Sequence, residues 1–191
     1  MNFKNNIGFI GAHRTGKTTL AKAVSEVIGI PYVPISTSQV FKDNGLDPSD
    51  KLDIWTRFDI QKKILLHACD IWFDMDQQFI CDRTPLDMLA YMLADIQANS
   101  IGVISEEDIE AYSDRSFKAT KQFFGDLIIV PPAIPLVFEE GKAPLSKAYI
   151  EHLHYLILGL ATEVSNDTCF IPRYCTDLGD RVSTVKSFLR I

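Results

Sequence analysis

The 191-residue sequence predicts a three-layer α/β fold, a mostly parallel five-stranded sheet with helices on both faces. Three observations carry that prediction. Short apolar runs alternate with longer stretches of helical periodicity, the pattern of parallel strands joined by crossover helices. The first run, Ile7-Gly8-Phe9-Ile10, leads directly into Gly11-Ala12-His13-Arg14-Thr15-Gly16-Lys17-Thr18, which fits G-x-x-x-x-G-K-[ST] at every fixed position. A helix start, Thr18-Thr19-Leu20-Ala21, stands immediately behind it, so strand, glycine-rich loop and helix follow in the order this phosphate-binding motif requires.

The elements follow along the chain. The helix after the loop runs from about Gly16 to Ile28 and stops at Gly29, with Pro31 beyond. Tyr32-Val33-Pro34-Ile35 is a weak strand between prolines, and the polar stretch Ser36 to Pro48 reads as loop. A long helix covers about Ser49 to Asp74, with Leu52, Trp55, Phe58, Leu65, Cys69 and Trp72 as its inward face. Phe79-Ile80-Cys81 is a short strand ending at Asp82-Arg83. Thr84, Pro85 and Asp87 then supply an N-cap, a first helical residue and an acidic capping partner for a helix to about Ala98. Ser105 and Asp108 open another, to about Phe124. Asp126 to Val130 is a clear strand closed by Pro131-Pro132. A non-periodic segment, about 132–147, has the length of a lid or binding loop. A helix from Lys147 to Val164, a strand Thr168-Cys169-Phe170-Ile171 and an amphipathic helix from Asp177 to Leu189 complete the chain, with Val182, Val185 and Leu189 facing inward.

Composition narrows the function classes. The length suits one domain, residues 1–191. With 47% hydrophobic and 23% charged residues it is that of an ordinary globular protein, and the net charge of −6 disfavours a broad nucleic-acid-coating surface. No apolar run reaches the length that spans a bilayer, and the N-terminus enters the first strand without a secretory signal, so a cytoplasmic location is expected, that of the host if the chain is phage-encoded. Cys69, Cys81, Cys169 and Cys175 form no C-x-x-C pair and read as buried thiols in a reducing compartment. A homodimer is left open.

The loop dictates the chemistry. Its backbone N–H groups and the helix N-terminus form a concave anion site spanning Gly11, Ala12, His13, Arg14, Thr15, Gly16, Lys17, Thr18 and Thr19. Lys17 reaches the β- and γ-phosphates and the Thr18 hydroxyl ligates Mg²⁺, so ATP and Mg²⁺ are the expected cofactors within a P-loop NTPase fold. Phosphoryl transfer also needs a metal-organising carboxylate, cations for the transferring group and an acceptor pocket. Asp82 is the best-placed carboxylate, because ligands of open α/β sheets bind at strand carboxyl ends. Whether it holds the metal or accepts a proton is open, and Asp126, which opens its strand, belongs at the other edge. Arg14, Lys17 and Arg83 are the catalytic cations. The segment 131–146 carries no arginine, only Lys142, with Lys147 just beyond; Arg14 inside the loop can supply the charge on the γ-phosphoryl, while Lys142 and Lys147 screen phosphate from a closing lid. Arg57 and Gln61, four apart on one helix face, are the acceptor-binding candidates together with Arg83. The adenine is expected near Pro172 to Thr176, with Arg173 as a candidate contact. His13 reads as a tolerated loop residue, His152 and His154 point to different sides of their helix, and the aromatic residues read as core.

The segment Arg14-Thr15-Gly16-Lys17-Thr18-Thr19 resembles the P-loop nucleoside and nucleotide kinases, and within them the thymidylate kinase-like group whose catalytic arginine lies in the loop. Asp82-Arg83, followed by Ala90-Tyr91, is similar to that family's Asp-Arg motif, and Phe58-Asp59-Ile60-Gln61 to the phenylalanine-x-x-glutamine helix of deoxynucleoside kinases. The resemblance implies that Arg83 contacts acceptor or donor phosphates, that Asp82 helps organise the metal and that Gln61 reads the base. Gly125 to Ser146 resembles nicotinamide riboside kinase-like and small phage kinase sequences, which include kinases of 5-hydroxymethyluracil in DNA. His13 stands where thymidylate kinases carry an aspartate. Three functions follow in order: an ATP-dependent kinase of a nucleoside, a nucleotide or a base hydroxyl in DNA; an ATPase or regulatory P-loop protein, against which the strand ending Asp-Arg instead of Asp-Glu counts; and a non-catalytic nucleotide-binding module.

Overall fold

The computed structural model describes residues 5–47, 50–99, 103–136 and 146–191. Strands β1 (Ile7–Ile10), β2 (Ile80–Cys81), β3 (Asp126–Ile129) and β4 (Asp167–Phe170) form one parallel sheet in the order β2-β1-β3-β4. The helices among the described residues are α1 (Lys17–Ile28), α2 (Thr37–Asp43), α3 (Ile54–Asp74), α4 (Pro85–Asn99), α5 (Glu106–Phe123), α6 (Lys147–Ala161) and α7 (Leu178–Leu189). The architecture is the three-layer α/β fold of P-loop NTPases.

Strand register sets where chemistry can happen. Ile7 lies opposite both Ile80 and Asp126, and Asp126 lies opposite Asp167. The chain therefore leaves all four strands at one edge, after Ile10, Cys81, Ile129 and Phe170. Alternation along the strands divides the interior in two. Ile10, Cys81 and Leu127 pack with α2 to α6, where Phe58, Leu65, Trp72, Leu86 and Leu89 are buried. Ile7, Phe9, Ile80 and Ile128 face Leu20 and Val24 of α1 and Val185 of α7. Asn6 ties the sheet's other edge: its side chain donates to the Phe123 carbonyl at 2.7 Å and accepts from the Phe79 amide at 3.1 Å.

Several expectations need correction. The fifth strand is a single parallel bridge between Tyr32 and Ile80. Val33 donates to the Ile80 carbonyl and Ile80 to the Pro31 carbonyl, each at 2.8 Å, but Pro31 and Pro34 lack the N–H groups a longer ladder needs. The stretch 36–48 is not all loop: Ser36 accepts from the Gln39 amide and caps α2, which buries Val40 and Phe41. Two apolar residues in one short helix are too few to show a period. Helix α3 starts at Ile54 instead of near Ser49, because Asp53 caps it by accepting from the Thr56 amide. Trp55, assigned to its inward face, is 50% exposed, while Ile54, Ile60, Ile64 and Ala68 take the buried positions. Helix α6 ends at Ala161, short of Val164. The capping box at Thr84 forms as expected, the Thr84 amide donating to Asp87 at 2.6 Å and the Asp87 amide to the Thr84 hydroxyl at 3.4 Å. At Ser105 the hydroxyl caps α5 by accepting from the Asp108 amide at 3.1 Å, while the Asp108 side chain accepts from that hydroxyl and not from the Ser105 amide. Among the described residues no helix is long and apolar enough to cross a membrane.

Candidate functional site

The loop from Gly11 to Gly16 rises from the end of β1. A Cβ on Gly11 would stand 2.5 Å from the Val130 carbonyl oxygen, so only glycine lets the loop leave the sheet this close to β3. Gly16 takes φ +84°, and Arg14 takes φ +61°, a left-handed conformation that costs an L-residue energy and is found preferentially at functional sites. The loop is braced on one carbonyl: Thr15 Oγ1 and Lys17 Nζ both donate to Ala12 O, at 3.0 and 2.7 Å. Ala12 itself is buried among Ala94, Ile150 and Leu153, which roots the loop against α4 and α6. Thr18 and Thr19 lie exposed in the first turn of α1. Lys17 is buried, and that burial together with the neighbouring Arg83 charge holds its ammonium down at about 8, against the pull of Asp87 and Asp82.

Asp82, directly after β2, is brought to the loop as the motif order requires. The Thr18 hydroxyl donates to its Oδ2, and the Tyr32 hydroxyl donates to its Oδ1 at 2.8 Å. Burial, and then the bond to Asp82, push the Tyr32 hydroxyl above its ordinary pKa, so Tyr32 remains a donor. A carboxylate and a hydroxyl already touching form a hard-oxygen set that fits Mg²⁺. Among the described residues no cluster of three or more His, Cys, Asp or Glu side chains can hold a metal.

A stripe at helical spacing leads away from Asp82: Arg83, then Asp87, Tyr91 and Asp95 on successive turns of α4. Asp87 is fully buried and lies 3.4 Å from Arg83. Burial raises the Asp87 carboxyl, while Arg83 and Lys17 pull it back. The Arg83 guanidinium stands 5.9 Å over the Tyr91 ring. The Tyr91 hydroxyl accepts from the His13 amide at 2.7 Å and lies 3.1 Å from His13 Nδ1. The His13 ring is 6.1 Å from that of Tyr91 and 5.9 Å from that of Tyr149, and both tyrosines pack on the buried cluster around Ala12, so core aromatics here also wall the loop. Arg57 forms a 3.6 Å ion pair with Asp95, whose carboxyl burial raises and Arg57 lowers. Gln61 is half-buried one turn further along α3.

The remaining candidates come from other segments of the chain. Arg173 is exposed and holds Glu151 in a bidentate pair at 2.8 and 2.7 Å. Lys147 is exposed at the start of α6, beside a depression lined by Pro132, Ile134, Leu136, Ile150 and Glu151. Lys142 lies outside the described residues. Asp126 opens β3 at the opposite edge, where burial and then Asp167 raise its carboxyl. Sequence reasoning missed Tyr32, Asp87, Tyr91, Tyr149 and Arg181 as site residues. The four-residue spacing from Arg83 was a signal for Asp87 and Tyr91; Tyr32, Tyr149 and Arg181 reach the site only through tertiary packing.

Comparison with solved structures gives the fold independently. The deoxyadenosine kinase from M. mycoides with the products dCMP and a flexible dCDP bound is similar at a TM-score of 0.66 and 16% identity, over 97% of this chain and 98% of that one. NadR in complex with NAD and AMP-PNP is similar at 0.68 and 14%, over 99% of this chain and 50% of that one. YorR from Bacillus subtilis, in complex with phosphorylated GDP, is similar at 0.55 and 13%, over 96% and 95%. No curated protein matches the sequence. The sequence matches the family described as "AAA domain" over residues 6–124, which cover the phosphate-binding loop, the Asp82-Arg83 turn and the α4 stripe, and the chain belongs to that family.

Proposed function

We propose that the chain is a Mg²⁺- and ATP-dependent kinase that moves the γ-phosphoryl group of ATP to a nucleoside or nucleotide acceptor, in the manner of the thymidylate kinase-like P-loop kinases. The observation that carries this reading is the contact between Thr18 and Asp82, a hydroxyl and a carboxylate of the kind that Mg²⁺ takes, side by side at the mouth of the loop. The bound dCMP and dCDP of the deoxyadenosine kinase and the AMP-PNP of NadR agree with it.

In this reading the loop amides and the α1 N-terminus hold the triphosphate. Lys17 exchanges the Ala12 carbonyl for phosphate oxygens. Thr18 and Asp82 would hold Mg²⁺, which would supply charge neutralisation for the phosphates. Arg14 stabilises the γ-phosphoryl in transfer, as a loop-borne arginine, a contribution worth about 3 kcal/mol. Arg83, held against Asp87 and Tyr91, orients the acceptor, with Arg57 and Gln61 as further contacts from α3. The acceptor oxygen attacks the γ-phosphorus, the bond to the β–γ bridging oxygen breaks with that oxygen leaving on ADP, and the proton of an attacking hydroxyl passes to water. Lys147 and Lys142 screen the phosphates from the 132–147 segment.

A labelled γ-phosphate transfer assay tests this, with deoxynucleosides, their monophosphates, and DNA with and without hydroxymethyl bases as acceptors. Label on a free nucleoside or nucleotide is expected, lost in Asp82→Ala and reduced about a hundredfold in Arg14→Ala with little change in ATP affinity. Label only on modified DNA would make the protein a DNA-base kinase. Free phosphate alone would make it an ATPase.

A further inference from the structure

Arg181 lies in α7, far in sequence from the phosphate-binding loop, yet it is only 2% exposed and sits against the loop's back. Its Nε donates to the Cys175 carbonyl at 2.8 Å, and its Nη1 donates to the Thr15 carbonyl at 3.1 Å. Nη1 would also stand 3.5 Å from a Cβ on Gly16. Nη2 is buried and has no hydrogen-bond partner among the described residues. None of the ion pairs among the described residues includes Arg181. Burial draws its pKa below the ordinary arginine value, but a guanidinium stays protonated at neutral pH.

A buried cation without a carboxylate is costly, and two carbonyls offset only part of that cost. The fold does not require a charge on this helix face, since Val185, one turn along α7, fills its position with an apolar side chain that is fully buried. The charge has a use at the loop. In a trans peptide unit the C=O and N–H point in opposite directions. An arginine that holds the Thr15 carbonyl from behind therefore turns the Gly16 N–H toward the loop's concave face.

We infer that Arg181 is a fixed cation behind the phosphate-binding loop, which holds the Thr15–Gly16 peptide in its phosphate-facing orientation and adds its own charge to the field at the triphosphate. The inference rests on the reading of the loop as an ATP site. Arg181 is a positioning residue, acting through the loop and through space. Its contribution scales with ligand charge, greatest for ATP, smaller for ADP and least for AMP.

Calorimetric binding of ATP, ADP and AMP to the wild type, Arg181→Met and Arg181→Lys tests it. The methionine variant is expected to bind ATP about tenfold more weakly and AMP less than about twofold more weakly, and the lysine variant to stay within about threefold of wild type for ATP. Wild-type ATP affinity in Arg181→Met, or equal losses for ATP and AMP, would overturn the inference, since a mere structural prop weakens all three ligands alike. If the methionine variant does not fold, the lysine variant decides: an ATP loss of about tenfold or more means that charge is not what matters. A wild type that binds no ATP sinks the ATP reading and this inference together, whereas wild-type binding with an unaffected methionine variant sinks this inference alone.

Discussion

At the scale of single residues, Lys17 sets the pH range over which the loop can bind a polyanion. Burial and the Arg83 charge bring it to about 8 in the nucleotide-free protein, from 10.5 in a free chain. Between those values the unfolded chain carries the extra proton, so this residue makes the empty protein more stable as pH rises through that window. Nucleotide binding has the opposite dependence, because phosphate oxygens need the ammonium. ATP affinity should be level below about pH 8 and fall by up to about tenfold per unit above it. Calorimetric titrations from pH 6.5 to 9.5 check this, and an affinity unchanged across that range would show that Lys17 keeps its proton throughout.

The α4 N-terminus shows how one element serves stability and chemistry at once. Asp87 caps Thr84 through the amide at 2.6 Å and the hydroxyl at 3.0 Å, and its other oxygen faces Arg83. Thr84 is itself wedged under β1, since a Cβ on Gly8 would stand 2.6 Å from its methyl group. The Arg83 head is thus held by a cap that is locked to the sheet. Asp87→Asn keeps the shape but removes the buried carboxylate that Arg83 pairs with and leaves Asp82 as the remaining counter-charge to Arg83 and Lys17, so it should cost about 3 kcal/mol of stability. For a chain of this size that is a fall of about 6–12 °C in Tm. Thermal unfolding of the variant measures it; a loss below about 1 kcal/mol would mean that solvent already screens the pair.

Across the whole molecule, the site is assembled from segments distant in sequence because the parallel register brings every strand's carboxyl end to one edge. The loop after β1, the Asp82 turn after β2 and the Cys175 segment after β4 meet there, the last joined to the loop through Arg181. Nucleotide binding should therefore slow amide exchange at residues 11–18, 81–83 and 172–176 together, while the outer face of α5, around Asp114 and Lys118, is unchanged. Exchange measured with and without ATP tests it; protection confined to 11–18 would separate the β4 loop from the site.

The sequence by itself determined the loop, the Asp82-Arg83 turn and the caps at Thr84 and Ser105, because each rests on contacts within a few residues, and the sheet's layered class, because strand and helix periods alternate along the chain. Glycine spacing, a polar cap and a period-2 run are local, and local physics is written in order along the chain. It also placed Asp126 at the wrong edge for chemistry, since a strand's direction is known once its neighbours are parallel. Tertiary structure alone decided the rest. The proline-flanked run at Tyr32 became a bridge whose hydroxyl holds Asp82, and Arg57 found Asp95 across two helices. Arg181 came to the back of the loop from 166 residues away. Such contacts depend on how helices pack over the sheet, and that packing follows from the whole buried surface, which no short window of sequence contains.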